Sequence, residues 1–107
     1  MLYLTSIGEP CVVAYPESEW EKIVEQFKDM GMGSPQNRAA ARMVMGLSDS
    51  VEIDSAGRIV IPGSLAHRAG IKDKVLFIKM PRGFEIWDPD RYEEFSTEVE
   101  LPGHLKL

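Results

Sequence analysis

The chain has 107 residues and a formal net charge of −5; 44% of its residues are hydrophobic and 27% are charged. That length allows one compact domain or two very small ones, close to the size at which association often supplies missing stability, and no run approaches the roughly eighteen apolar residues of a membrane span. The single cysteine, Cys11, excludes an intrachain disulfide, and MLYLTSIGEP lacks the basic segment and cleavage site of a secretory signal, so a soluble cytoplasmic protein is expected.

In chain order, LYLTS and CVVAY read as strands. PESEWEKIVEQF places Trp20, Ile23, Val24 and Phe27 at i, i+3, i+4 and i+7, an amphipathic stripe with acidic residues in the first turn, which predicts a helix. In GMGSPQNRAAARMVMG, Ser34 is placed to cap a second helix, Pro35 to start it and Gly46 to stop it. SVEIDSAGRIVIP alternates at Val51 and Ile53, turns, and resumes at Ile59 and Ile61, predicting a hairpin that ends at Pro62. GSLAHRAG makes a brief helix closed by Gly70, and KVLFIKM and FEIWD are strands joined at PRG. DPDRYEEFSTEV repeats the acid-first helix pattern, with Tyr92, Phe95 and Val99 expected inward.

CVVAYPESEWEKI can be laid on GFEIWDPDRYEEF without a gap: Tyr15 meets Trp87, Trp20 meets Tyr92, Glu21 meets Glu93 and Ile23 meets Phe95, at a constant offset of 72. The same offset pairs LYLTSIGEP with KVLFIKMPR. The counterpart of VEIDSAGRIVIP would precede Met1. The expectation is therefore a truncated first repeat over residues 1–47 and a complete second repeat over 48–107, with a start that was clipped or assigned at an internal methionine.

Charge is unevenly spread. Residues 1–53 carry four Lys/Arg against eight Asp/Glu, residues 54–82 carry six against two, and residues 83–107 carry two against seven. The one basic segment contains Asp54-Ser55-Ala56-Gly57-Arg58. Gly57 suits the positive φ of a tight turn, and Arg58 offers a planar fork that fits guanine O6 and N7 or a phosphate. Asp54 is expected to orient that fork through a bidentate ion pair, while small Ser55 and Ala56 let backbone N–H groups approach phosphates. Arg68, Lys72, Lys74, Lys79 and Arg82 can add sequence-independent attraction. Taken alone, the pentapeptide fits equally a surface ion pair worth under about 1 kcal/mol.

DSAGRIVIP, followed by SLAHRAGI, VLFI, FEIWD and RYEEF, resembles the second half of the MraZ family, transcriptional regulators of the bacterial division and cell-wall gene cluster. VVAYPESEWEKI and RAAARMVMGLSDSVEID resemble the middle of that family, so the similarity covers nearly the whole chain. Members carry two SpoVT-AbrB-type units, each with an Asp-x-x-x-Arg signature; Asp54 to Arg58 matches the second signature and nothing here matches the first. The resemblance implies an α+β fold, an AbrB-like double-psi or swapped-hairpin β-barrel with peripheral helices and a truncated first repeat. It also implies a ring-like homo-oligomer that binds repeated G-rich double-stranded DNA as a nucleoid-associated repressor, through Asp54, Ser55, Ala56, Gly57 and Arg58.

An antitoxin-like interaction protein is the alternative, because the same barrel serves toxin-neutralising modules. No Gly-rich phosphate loop, metal cluster or nucleophile–base arrangement is visible, so no enzyme, cofactor, small-molecule substrate or membrane partner is expected. His67 and His104 stand without ligand partners at metal spacing and read as surface residues. Cys11 reads as a small buried hydrophobe, Met30, Met32, Met43 and Met45 as gap fillers, and Arg38 and Arg42 as partners for acidic neighbours. The pairs Glu93-Glu94 and Asp88-Asp90 read as helix-start residues.

Overall fold

The computed structural model describes residues 1–96 and 99–107. The architecture is α+β: β1 (Leu2–Thr5), β2 (Val12–Pro16), α1 (Glu17–Met30), α2 (Pro35–Val44), β3 (Asp49–Val51), α3 (Gly63–Ala69), β4 (Leu76–Lys79), β5 (Phe84–Trp87) and α4 (Pro89–Phe95). The strands form one antiparallel sheet in the order β3-β1-β2-β5-β4. No helix among the described residues is long and apolar enough to cross a membrane.

Strand alternation gives the sheet two apolar faces. Leu2, Leu4, Val12, Ala14 and Ile86 point to one, where Leu65 and Ala69 of α3 cover them and Ile59, Ile61, Ile71 and Val75 pack around the margin. Cys11, Val13 and Trp87 point to the other, beside Tyr15, Leu76, Ile78 and Tyr92. Burial, assisted by Glu85 and then Glu9, pushes the Cys11 thiol up to about 12, so at neutral pH it behaves as the small hydrophobe the sequence suggested.

The repeat is visible in space. β2 followed by α1 and β5 followed by α4 begin at the same 72-residue offset. Val13 pairs with Glu85, its own counterpart, while Val12–Ile86 and Ala14–Phe84 exchange under that offset. The sheet thus has a pseudo-two-fold axis between its central strands. Tyr15 and Trp20 lie 6.3 Å apart by ring centroid, and their counterparts Trp87 and Tyr92 lie 5.2 Å apart, so each unit closes its strand onto its helix with an aromatic pair. The gapless alignment holds for β2–α1 but not for β1. Thr5 pairs with Val13 across seven intervening residues, whereas Ile78 pairs with Glu85 across six, so β1 needs one residue of gap in its turn.

Local signals hold for the helices. The Ser34 hydroxyl accepts a hydrogen bond from the Asn37 amide at 3.0 Å, Asp88 Oδ2 accepts one from the Arg91 amide at 3.2 Å, and Gly70 closes α3 at φ 67°. Other expectations need correction. Trp20 is the one fully buried residue of the α1 stripe; Ile23, Val24 and Phe27 are half-buried. The last helix ends at Phe95. Thr97 and Glu98, within the stretch expected to be helical, lie outside the described residues, and Val99 is exposed instead of inward. Phe95 packs on Trp87 at 5.1 Å yet keeps an exposed face. Met30 and Met32 are exposed where gap filling was expected. Arg38 donates to the Met32 carbonyl at 2.9 Å, bracing the α1–α2 loop instead of neutralising an acid.

Candidate nucleic-acid interface

The expected hairpin over residues 51–62 forms only in part. Its first arm becomes β3, which lays Val51 opposite Leu2 of β1, but its return arm is not a strand. Two isolated strands gain little from pairing with each other alone. Here the first arm is drawn to β1, while the return arm turns Ile59 and Ile61 towards the core and leaves Val60 82% exposed.

The tip is nonetheless closed. Asp54 N donates to Arg58 O at 2.8 Å and Gly57 N donates to Asp54 O at 3.0 Å, the bonding of a three-residue turn whose last residue is left-handed. Gly57 supplies that conformation at φ 79°. The Asp54 carboxylate does the rest. Its Oδ1 accepts from the amides of Ala56 at 2.9 Å and Arg58 at 2.8 Å, and its Oδ2 accepts from Arg58 Nε at 3.0 Å. These bonds hold the carboxyl below its ordinary range, led by the Arg58 amide, opposed by partial desolvation and reinforced by the Arg58 guanidinium and the Ala56 amide.

The orienting role expected of Asp54 is present in a different form. One oxygen grips the guanidinium and the other grips the backbone, so the ion pair is not bidentate. Because Nε is engaged, Arg58 presents the outer edge of its fork, the paired Nη1 and Nη2 groups, on a side chain that remains 78% exposed. The amides of Ala56, Gly57 and Arg58 are consumed inside the loop, against the expectation that the backbone here is open to phosphates. Ser55 enters none of these bonds, and its hydroxyl and amide face solvent. The backbone-bonding use of Asp54 escaped the sequence reading, although an Asp three residues before a Gly carries the signal of an Asx turn.

The remaining cations of the basic segment are dispersed. Lys72 shares with Gly57 and Arg58 a groove of about 540 Å³ floored by Ile59, Ile61, Ile71 and Phe77. Lys74 lies next to Lys72 beside Asp88 and Asp90. Arg68 borders the Ser6–Pro10 turn and Arg82 lines the β4–β5 turn, so neither shares the groove of the loop. His67 and His104 are exposed.

Fold and loop together define an α+β protein with a duplicated strand–helix unit and one exposed, internally braced Asp–Arg turn. A family described as "MraZ protein, putative antitoxin-like" matches residues 44–104. A "Transcriptional regulator MraZ" from Lachnoclostridium phytofermentans is 34% identical over 106 residues, covering 96% of this chain and 74% of its own length. Proteins of the same name from Nitrosospira multiformis (32% over 91 residues) and Yersinia pestis (28% over 101 residues) cover 85% and 94% of this chain. The chain spans 62% and 66% of those two relatives, less than two thirds of their length. The chain belongs to the MraZ family.

Proposed function

We propose that this chain is a sequence-specific DNA-binding transcriptional regulator, a repressor of the division and cell-wall gene cluster that grips repeated G-rich promoter elements as a ring-like homo-oligomer in the nucleoid. The observation that carries the reading is the loop of Asp54 to Arg58: a guanidinium whose Nε is pinned at 3.0 Å and whose two Nη groups point outward. A fork held in this way loses little freedom on meeting the O6 and N7 edge of guanine or two phosphate oxygens. The names of the relatives support the regulatory role.

The division into a first AbrB-like repeat over residues 1–47 and a second over 48–107 is supported by the spatial two-fold of the strand–helix units. A swapped-hairpin barrel is supported by β3, which leaves the second repeat to pair with β1 of the first. With one loop in each protomer, firm binding requires several loops on repeated sites at once.

The test is a gel shift on the region upstream of the chain's own gene at two salt concentrations. Arg58→Ala is expected to abolish specific retention while leaving the thermal transition unchanged, since the side chain is exposed. Undiminished retention by that variant overturns the reading. The family description supports one second reading, an antitoxin-like protein that neutralises a partner toxin. Co-purification of a stoichiometric toxin from the native host, in place of promoter retention, decides for it.

A further inference from the structure

β3 and β4 are the outermost strands of the sheet, and among the described residues no strand pairs with the far side of either. Unpaired edges of this kind are templates for another strand. Three observations indicate which strand fits β4. First, the pseudo-two-fold makes β4 the counterpart of β1, and β1 carries β3 on its outer side with Val51 opposite Leu2 and Asp49 opposite Leu4. The same placement on β4 sets Val51 opposite Val75, Asp49 opposite Phe77 and Glu52 opposite Lys74. Second, Phe77 points to the face that elsewhere forms the core, yet it is 58% exposed above the apolar groove described above. Third, the two edges carry opposite charge. Residues 49–54 contain three carboxylates and no base, whereas residues 72–79 contain three lysines against one aspartate.

We infer that the outer side of β3 in one copy of this chain pairs antiparallel with the outer side of β4 in the next, in the register that puts Glu52 against Lys74. The charges select this arrangement over the two-fold alternatives. Pairing β4 with β4 sets lysines against lysines, and pairing β3 with β3 sets carboxylates against carboxylates, both of which repel. A β3-to-β4 contact is head-to-tail, so every copy added presents a fresh acidic edge at one end and a fresh basic edge at the other. The inference rests on the self-association proposed above and names the surfaces that make it.

Glu52→Lys and Lys74→Glu test it, because both side chains are exposed, enter no hydrogen bond among the described residues and stand outside the Asp54–Arg58 loop. Sedimentation velocity over a concentration series is expected to show association of the unaltered chain, weakened by about threefold or more in each variant alone. An equimolar mixture of the two is expected to recover association, since each then offers the other an opposite edge. Far-UV circular dichroism confirms that each variant is folded. Variants that associate as the unaltered chain does, a mixture that fails to recover, or an unaltered chain that never associates each overturn the inference. Arg58→Ala separates the two proposals: a chain that assembles through these edges but ignores DNA refutes the DNA reading alone, and one that retains DNA but is indifferent to edge charge refutes the interface alone.

Discussion

Asp54 serves the loop twice, once through each carboxylate oxygen, and both uses require the ionised form. Its folded-state pKa lies below the ordinary value, so its contribution to loop order is complete above the unfolded carboxylate range and disappears as pH falls through the lowered value. The expected outcome is that amide exchange at Ala56 and Arg58 stays slow from neutral pH into mild acid and accelerates below the usual carboxylate range. In Asp54→Asn, which keeps one acceptor oxygen and loses the charge, exchange at these amides is expected to be faster throughout, with no acid step. Gly57 imposes a different constraint. A Cβ there meets nothing within 4 Å, so the whole cost of a side chain is backbone strain at φ 79°. Gly57→Ala is expected to lose about 1 kcal/mol of stability in chemical denaturation, and Gly57→Asn, better suited to the left-handed region, distinctly less.

At the scale of elements, what was legible in the sequence followed local chemistry. Ser34, Asp88 and Gly70 announced helix ends by side-chain and backbone rules that act within four residues, and all three do so in the fold. The match of Tyr15 with Trp87 and of Trp20 with Tyr92 likewise identified aromatic pairs that touch inside each unit. What local chemistry could not reach was competition between partners. The alternation in Ile59 and Ile61 was read as a strand because period two is a strand signal, yet which edge accepts that arm is decided by β1, which lies some fifty residues earlier and takes the other arm. The arrangement of Asp54 oxygens was half legible: the Asp–Arg spacing gave the ion pair, but the carboxylate had more donors within reach than the guanidinium alone. Gly83 illustrates a constraint set by the tertiary approach of two strands. A Cβ on it would sit 2.0 Å from the carbonyl oxygen of Ala14, and a backbone oxygen in the middle of a sheet has no room to retreat. Gly83→Ala is expected to cost about 1–3 kcal/mol, read as a lowered midpoint of thermal unfolding.

For the whole molecule, the net charge of −5 conceals a surface on which one cation besides Arg58 lines the groove at the loop. Lys72→Ala is expected to weaken DNA binding about equally on all sequences and to shallow the dependence of log K on log salt by about one for each loop engaged. Arg82→Ala, on the remote β4–β5 turn, is expected to leave that slope unchanged. Fluorescence anisotropy over a salt series distinguishes the two.

The pairing of β2 with β5 bears on how the chain is made. Val12 waits for Ile86, so the central seam of the sheet cannot close until most of the polypeptide has left the ribosome. Until then the nascent β1–β2 hairpin holds Val12 and Ala14 towards water, and its survival at that stage depends on the early docking of Trp20 over Tyr3, a stacked pair 5.4 Å apart whose members are both synthesised within the first twenty residues.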